Sequence, residues 1–459
     1  MIVDAKDQKK PLSHYIFKAE VAKRFFDTLD KGISLVNSYF IISSLSVFSF
    51  GLYQLVLSFV SIVRGLGINF FDGLVAIEMR RYLNVKRLDQ AIRLFKENAY
   101  LKFLLSSVFT VVAFFGSDIV AGWYGRDIGL LIKWASALFL LGSVQSLTSI
   151  FLQSVVSFSQ QGFNAIREIT KLGILIYLVF TGRIGIAEVI AAHVIADTLA
   201  TILFTGLVVV KKFRQAFALV IPAPEALMLP MVKKEGLRIF TVFGLKEVLQ
   251  NATPWLVKVL TNTEGVALYA LSVNLIGYMQ DYMPFTAIKS MLALKADNQQ
   301  ELQFVFARAV KYTFWIGFAF LLAGAVAVPP LVTLLFPAYA PAMPVFYAML
   351  AVLPLYGVVK ATHATLAVLR EYKVLAMRLV NEVAILFIGS VLLLPVFGVV
   401  GIGIVYFLRH LERTWFLYTQ LVRRYPDFKI KLWRLFRIDA TDRKFFGQIF
   451  QQTKSLLGR

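Results

Sequence analysis

The chain has no cysteine and only four histidines, and Asp, Glu, Lys and Arg together make up 16% of its 459 residues. Without cysteine there are no disulfides, no thiolate metal sites and no cysteine nucleophile. A soluble domain carries about 25% charged residues, so a cytosolic enzyme, a disordered chain and a secreted scaffold are all poor fits. Several motifs are also missing: an Asp-x-Asp pair, a Gly-x-Ser-x-Gly elbow, a phosphate-binding Gly-x-x-x-x-Gly-Lys and a His-Glu-x-x-His helix. These absences predict neither an enzyme nor a cofactor. They also leave any driving force to a gradient, the membrane potential or consumption of product.

What the chain has instead is apolar length. Hydrophobic residues make up 58% of it and the mean hydropathy is +0.70. The stretches 32–63, 134–166, 312–359 and 383–408 contain no charged residue at all. Each exceeds the roughly 20 apolar residues that cross about 30 Å of hydrocarbon. Apolar runs between charged or Gly/Pro-rich breaks predict twelve spans. Those of the first half lie near 28–48, 51–77, 97–118, 130–153, 163–181 and 186–210. Those of the second half lie near 238–260, 265–289, 304–328, 343–368, 374–395 and 399–421, with a turn expected at Pro329-Pro330. The reading is an all-α polytopic membrane protein.

Lys and Arg exceed Asp and Glu by 21. Their placement excludes nucleic-acid binding as the reason. With helix ends counted alongside loops, 38 Lys and Arg fall on the side of the N-terminus. Only Arg126, Lys133, Arg183 and Lys258 fall on the other. Positive charge in short loops marks the cytoplasmic face, so both ends are expected inside a cell membrane, in contact with anionic lipid headgroups. Residues 1–27 read as a cytoplasmic arm with no cleavable signal, 211–237 as a cytoplasmic linker and 424–459 as a basic tail. In that tail Phe428, Leu432, Leu435 and Phe436 fall on one helical face opposite Lys429, Lys431, Arg434 and Arg437. Phe446, Ile449, Phe450 and Leu457 repeat the pattern. Such segments lie in the membrane interface or bind a partner.

The second half repeats the first. Lys31 matches Lys246, Asn37 matches Asn251, and Leu52-Tyr53 matches Leu268-Tyr269. Further on, Asn84 and Leu88 match Asn298 and Leu302, and Ile119 through Gly125 matches Leu331 through Pro337. Six spans per half is an even number, so the halves 28–210 and 238–423 share one orientation, related by an axis along the membrane normal. Two six-helix bundles of that kind enclose a central cavity, which is a transporter architecture.

Phe50-Gly51-Leu52-Tyr53, then Gly65-Leu66-Gly67 and Arg80-Arg81-Tyr82, resemble the opening of polysaccharide-biosynthesis transporters. Leu331 through Tyr339 resembles their second half. These belong to the multidrug/oligosaccharidyl-lipid/polysaccharide exporter superfamily, and the similar branch is the flippase of lipid-linked O-antigen or exopolysaccharide units. The resemblance covers about 28–423. It implies alternating access that carries an undecaprenyl-pyrophosphate-linked saccharide from the inner to the outer leaflet. Glycan polymerase and glycosyltransferases are the implied partners. Asn69 and Asp72 depart from the usual basic-rimmed Gly-Leu segment.

Ionisable residues at span depth are costly and usually face a cavity. Arg64, fourteenth in a span from Gly51 to about Ile77, is expected near mid-membrane with no acid at i±3 or i±4. Its planar fork suits phosphate oxygens, and an alternative is a pair with an acid such as Asp281. Lys31 and Lys246 are repeat-related cations near the inner ends of their spans, placed either to meet the headgroup or to snorkel. Asp281, next to Gln280, is open to orienting Arg64, to binding a coupling cation or to contacting sugar. Lys360 with His363, and His193 with Asp197, are one turn apart and suit either proton relay or interhelical hydrogen bonds. Arg409, Glu412 and Arg413 read as a local ion cluster beside His410. Asn37, Asn251 and Glu382 are interior polar candidates, and no metal site is expected. A cation-coupled drug or metabolite exporter of the same fold, or a non-transporting scaffold of a glycan-assembly complex, are the competing readings.

Overall fold

The computed structural model describes residues 12–124, 126–155, 160–283, 285, 288, 291–292, 298–431, 433–436 and 442. Among the described residues every regular element is helical. Such a chain satisfies its backbone donors and acceptors within each segment, which hydrocarbon demands.

The first half runs α1 (Leu12–Ser44), α2 (Val47–Val63), a π-turn (Arg64–Ile68), α3 (Asp72–Asn84) and α4 (Leu88–Tyr124). It continues with α5 (Arg126–Ala135), α6 (Ala137–Ser154), α7 (Gln160–Phe180) and α8 (Ile186–Phe204), which passes through a second π-segment into α9 (Val210–Phe217). The second half holds α10 (Met228–Asn251), α11 (Thr253–Leu260), α12 (Thr263–Asp281) and α13 (Gln299–Leu335). After the 3₁₀ turn Pro337–Ala342 come α14 (Met343–Leu350), α15 (Leu353–Val368), α16 (Tyr372–Phe397) and α17 (Val399–Arg424). Among the described residues each of the twelve expected spans coincides with a helix or a broken pair of helices, the span 265–289 doing so up to Asp281. By length and composition six described helices are apolar enough to cross a membrane, and α14 with α15, bent by 45°, makes a seventh. The protein is a multi-pass membrane protein.

Start and stop signals explain the boundaries. Ser46 caps α2, its hydroxyl accepting from the Ser49 amide at 3.2 Å. Pro254 opens α11, where a missing amide hydrogen is harmless. Gly182 and Gly398 end α7 and α16 with φ of +64° and +56°, the left-handed conformation that glycine adopts without strain. The repeat is visible in element lengths, since α4 and α13 are each 37 residues long. Asn298 caps α13, accepting from the amides of Gln300 and Glu301.

Two boundaries differ from expectation. The turn is not at Pro329-Pro330: α13 continues through both prolines to Leu335. Apolar residues up to Leu335 keep the segment in a medium where helix is the cheapest way to pair the backbone, and local readjustment absorbs the lost amides. The second span does not continue to residue 77 either. It ends at Ile68, and α3 starts afresh at Asp72.

The helices gather into two compact units. One contains 1–274, 327–348 and 379–405; the other contains 275–326, 349–378 and 406–459. In the first, Phe71, Val75, Met79, Leu94, Phe151 and Phe204 form a core close to the basic loops. At the other end of this unit the α1–α2 turn is covered. The Tyr339 hydroxyl donates to the Leu45 carbonyl at 3.3 Å, and its ring meets Phe50 edge-on. Gly51 lies against the Thr263 backbone, with no room for a Cβ. In the second unit Leu302, Phe306, Val359, Leu366, Leu417 and Phe428 make the core. Outer faces are greasy: Leu104, Val108, Val112, Phe115 and Ile119 line one exposed side of α4. In water such a stripe is a liability; against acyl chains it is solvated.

In the tail Pro426–Phe428 is a 3₁₀ turn and the described residues Trp433–Phe436 are helical, α18. Phe428 packs on Phe306, Phe436 on Phe314 and Trp315, and Asp442 is clasped by Arg308, Lys311 and Tyr312. Those partners on α13 compete successfully with the interface for the same apolar side chains. Phe446, Ile449, Phe450 and Leu457 lie outside the described residues.

Candidate functional site

Arg64 opens the π-turn, in which the Asn69 amide reaches back five residues to the Arg64 carbonyl at 2.8 Å. Single π-turns inside helices often mark functional positions. By length and composition the apolar segment able to cross is Val47–Ile68. Arg64 therefore sits four residues, about 6 Å, from its end and not at mid-span. The break after Ile68 shortens the helix and brings the guanidinium toward the face expected to be cytoplasmic. The side chain is partly exposed, and its Nη2 donates to Gln145 Oε1 at 2.7 Å. Gly142, one turn before Gln145 on α6, leaves the space that the guanidinium fills; a Cβ there would lie 2.6 Å from Nε. Gln145 in turn donates to Thr201 on α8 at 3.3 Å. Among the described residues no carboxylate pairs directly with Arg64.

The turn is held from α4. Lys102, 1% exposed, donates to the Ile68 carbonyl at 2.6 Å and to Asp72. Ser146 of α6 donates to the other oxygen of Asp72. A buried ammonium is tolerable only with such a set of acceptors.

A second charged group lies on α7 and α8. Glu168, 4% exposed, accepts from Asn37 at 2.8 Å and pairs with Lys171 and Arg167. Arg167 also reaches Asp197, at 3.8 Å. His193 shares a 2.5 Å hydrogen bond with the Tyr53 hydroxyl. His193 and Asp197 are thus held by different partners, Tyr53 and Arg167.

The remaining expected residues are placed as follows. Lys31 is partly exposed. Lys246 is exposed above the Phe243 ring, while Glu247 turns away to Asn251 and packs against Gly65. The Asn251 carbonyl accepts from Ser58. In the second unit Lys360 lies 4.9 Å above Tyr356, within the field of Arg413, Arg378 and Asp281. His410 stacks on Tyr406 with ring centres 4.4 Å apart, and Arg409 lies over that same ring. His363 is partly exposed and Glu382 fully buried. Among the described residues no group of three metal-ligating side chains occurs.

Sequence reading missed Lys102, Arg167, Glu168 and Lys171. The cations were absorbed into the tally of inner-side charge because each falls near a predicted span end. One signal was available: Arg167, Glu168 and Lys171 crowd three charges into five residues of an otherwise apolar helix.

No protein-family model matches the chain, and no curated protein sequence matches it significantly. Solved structures do. An inward-facing multidrug resistance transporter of the MATE family, in the MOP superfamily, superposes with a TM-score of 0.69 at 12% identity, covering 88% of this chain and 95% of that one. The lipid II flippase MurJ, inward closed, gives 0.69 at 10% identity over 90% and 89%. A MOP-superfamily transporter from Pyrococcus furiosus, described as having a binding pocket of reversed polarity, gives 0.60 at 14% identity over 91% and 96%. The chain has the fold of the MOP-superfamily transporters, twelve helices in two related halves. This is the superfamily that the sequence motifs resemble.

Proposed function

We propose that the protein is a flippase that carries a polyprenyl-pyrophosphate-linked saccharide from the inner to the outer leaflet of a cell membrane by alternating access. Residues 28–210 and 238–423 are its two bundles, the arm, the 211–237 linker and the tail are cytoplasmic, and glycan polymerase and glycosyltransferases are its working partners. The observation that carries this reading is Arg64: a partly exposed guanidinium inside the first bundle, hydrogen-bonded to a neutral amide. A phosphate anion entering a low-dielectric space needs compensating charge, and arginine forks phosphate oxygens while staying charged. Lys31 and Lys246 stand near the inner ends of their spans as candidates for first contact with the headgroup. Asp281, Lys360 and His363 are candidates for coupling or orientation.

The buried acids Glu168 and Asp197 favour a second reading, a cation-coupled exporter of drugs or metabolites, because such a carrier needs a carboxylate inside the first bundle. A scaffold that moves nothing is the third. Reconstitution in vesicles with a fluorescent polyprenyl-pyrophosphate sugar separates them. The flippase moves the lipid, and Arg64→Ala abolishes movement while the protein still accumulates. Wild-type activity in Arg64→Ala defeats the site. A drug flux with no lipid movement favours the exporter, and no flux of either kind favours the scaffold.

A further inference from the structure

Arg167 reaches the Asp197 carboxylate directly, and Arg64 is linked to the Asp197 backbone through Gln145 and Thr201. Asp197 on α8 is 7% exposed. Its backbone carbonyl accepts from Thr201, Thr201 accepts from Gln145, and Gln145 accepts from Arg64. Arg167 Nε is 3.8 Å from Asp197 Oδ1, long for an ion pair between groups this deep. By contrast Glu168 is tightly held, with Asn37 at 2.8 Å, Lys171 at 2.5 Å and Arg167 at 3.0 Å. Because Glu168 is shared with Lys171, it leaves part of the Arg167 charge uncompensated. The Arg167 side chain remains 34% exposed, so it is within reach of a ligand.

A diphosphate headgroup presents two anionic centres, and two guanidinium forks suit it better than one. A loosely paired acid beside Arg167 offsets part of this positive charge while no ligand is bound. It is also cheap to displace, because at 3.8 Å its pairing recovers little of the desolvation that burial costs. We infer that Arg167 is a second anion-binding group acting with Arg64, and that Asp197 is the resident counterion whose place the lipid diphosphate takes. This deepens the flippase reading and rests on it. The pairing also bears on specificity: a single phosphate group engages one guanidinium fork, whereas a diphosphate reaches both arginines.

Binding of farnesyl pyrophosphate to the purified full chain in detergent tests the assignment, with farnesyl monophosphate and the lipophilic cation tetraphenylphosphonium as comparisons. Arg64→Ala and Arg167→Ala are each expected to weaken farnesyl pyrophosphate binding tenfold or more, the loss of one charge-assisted contact. Arg167→Lys falls between Arg167→Ala and wild type, because it keeps charge without the fork. Asp197→Asn is expected to tighten binding severalfold. Unchanged affinity in Arg167→Ala alongside weakened affinity in Arg64→Ala overturns the inference and leaves the flippase reading standing. Wild-type protein that binds tetraphenylphosphonium and neither phosphate, with loss in Asp197→Asn, overturns both. If Arg167→Ala does not fold, Asp197→Asn decides alone: tighter binding supports the proposal, and unchanged or weaker binding overturns it.

Discussion

Lys102 donates to the Ile68 carbonyl, an acceptor that the break in the second span sets free. In an unbroken helix the Asp72 amide would take that oxygen, but it bonds to Asn69 at 3.1 Å instead. The ammonium of α4 fills the gap and holds Asp72 with it. The turn that carries Arg64 is therefore anchored to a neighbouring helix by a buried charge.

Removing one half of that anchor leaves the other half buried and uncompensated. Lys102→Met is expected to destabilise the protein by about 3–5 kcal/mol. The double variant Lys102→Met with Asp72→Asn recovers much of the loss, since no charge then remains to be paired. Thermal unfolding in detergent of the two single variants and the double checks this. Equal instability in Lys102→Met and the double variant contradicts it.

At the other end of the first unit, Gly51 has no room for a side chain against Thr263. Gly51→Val forces the two backbones apart. Because the chain has no native cysteine, Thr263→Cys can report the opening alone. Thr263 is 1% exposed, so its cysteine is expected to resist a membrane-impermeant thiol reagent in the parent background. With Gly51→Val added it reacts at least tenfold faster.

The same cysteine-free background tests sidedness. Arg183 and Glu225 are both exposed, on connections that the charge pattern assigns to opposite faces. In intact cells Arg183→Cys is expected to label from outside, and Glu225→Cys only after permeabilisation. The reverse pattern inverts the topology.

Asp442 ties the tail to α13 through Arg308, Lys311 and Tyr312. Asp442→Ala leaves two cations facing a buried vacancy and releases the tail. Limited trypsin digestion is expected to cleave the tail of Asp442→Ala several times faster than that of wild type, while the membrane-embedded fragments remain intact. Unaltered cleavage means the apolar contacts of Phe428 and Phe436 hold the tail without it.

The twelve helices were legible because hydrocarbon imposes a local requirement. Any segment that crosses it must be long, apolar and helical, and each of these can be counted along the chain. The 37-residue pair α4 and α13 was foreshadowed by matched Asn-and-Leu positions around the start of each helix. Arg64 was found for the same reason, since a charge in an apolar run stands out without a structure. The break after Ile68 was not legible, because a π-turn is set by what packs on it, here Phe109 against Gly67 and Lys102 against Ile68.

Composition and apolar length thus sufficed for the all-helical membrane architecture and for singling out Arg64. Pairing of the interior polar groups was left to the tertiary structure: Glu168 with Asn37, Lys102 with Ile68, and Asp197 with Arg167. These bonds join positions 30 to 131 residues apart, and their geometry follows from how helices pack side by side. No window along the chain holds both partners.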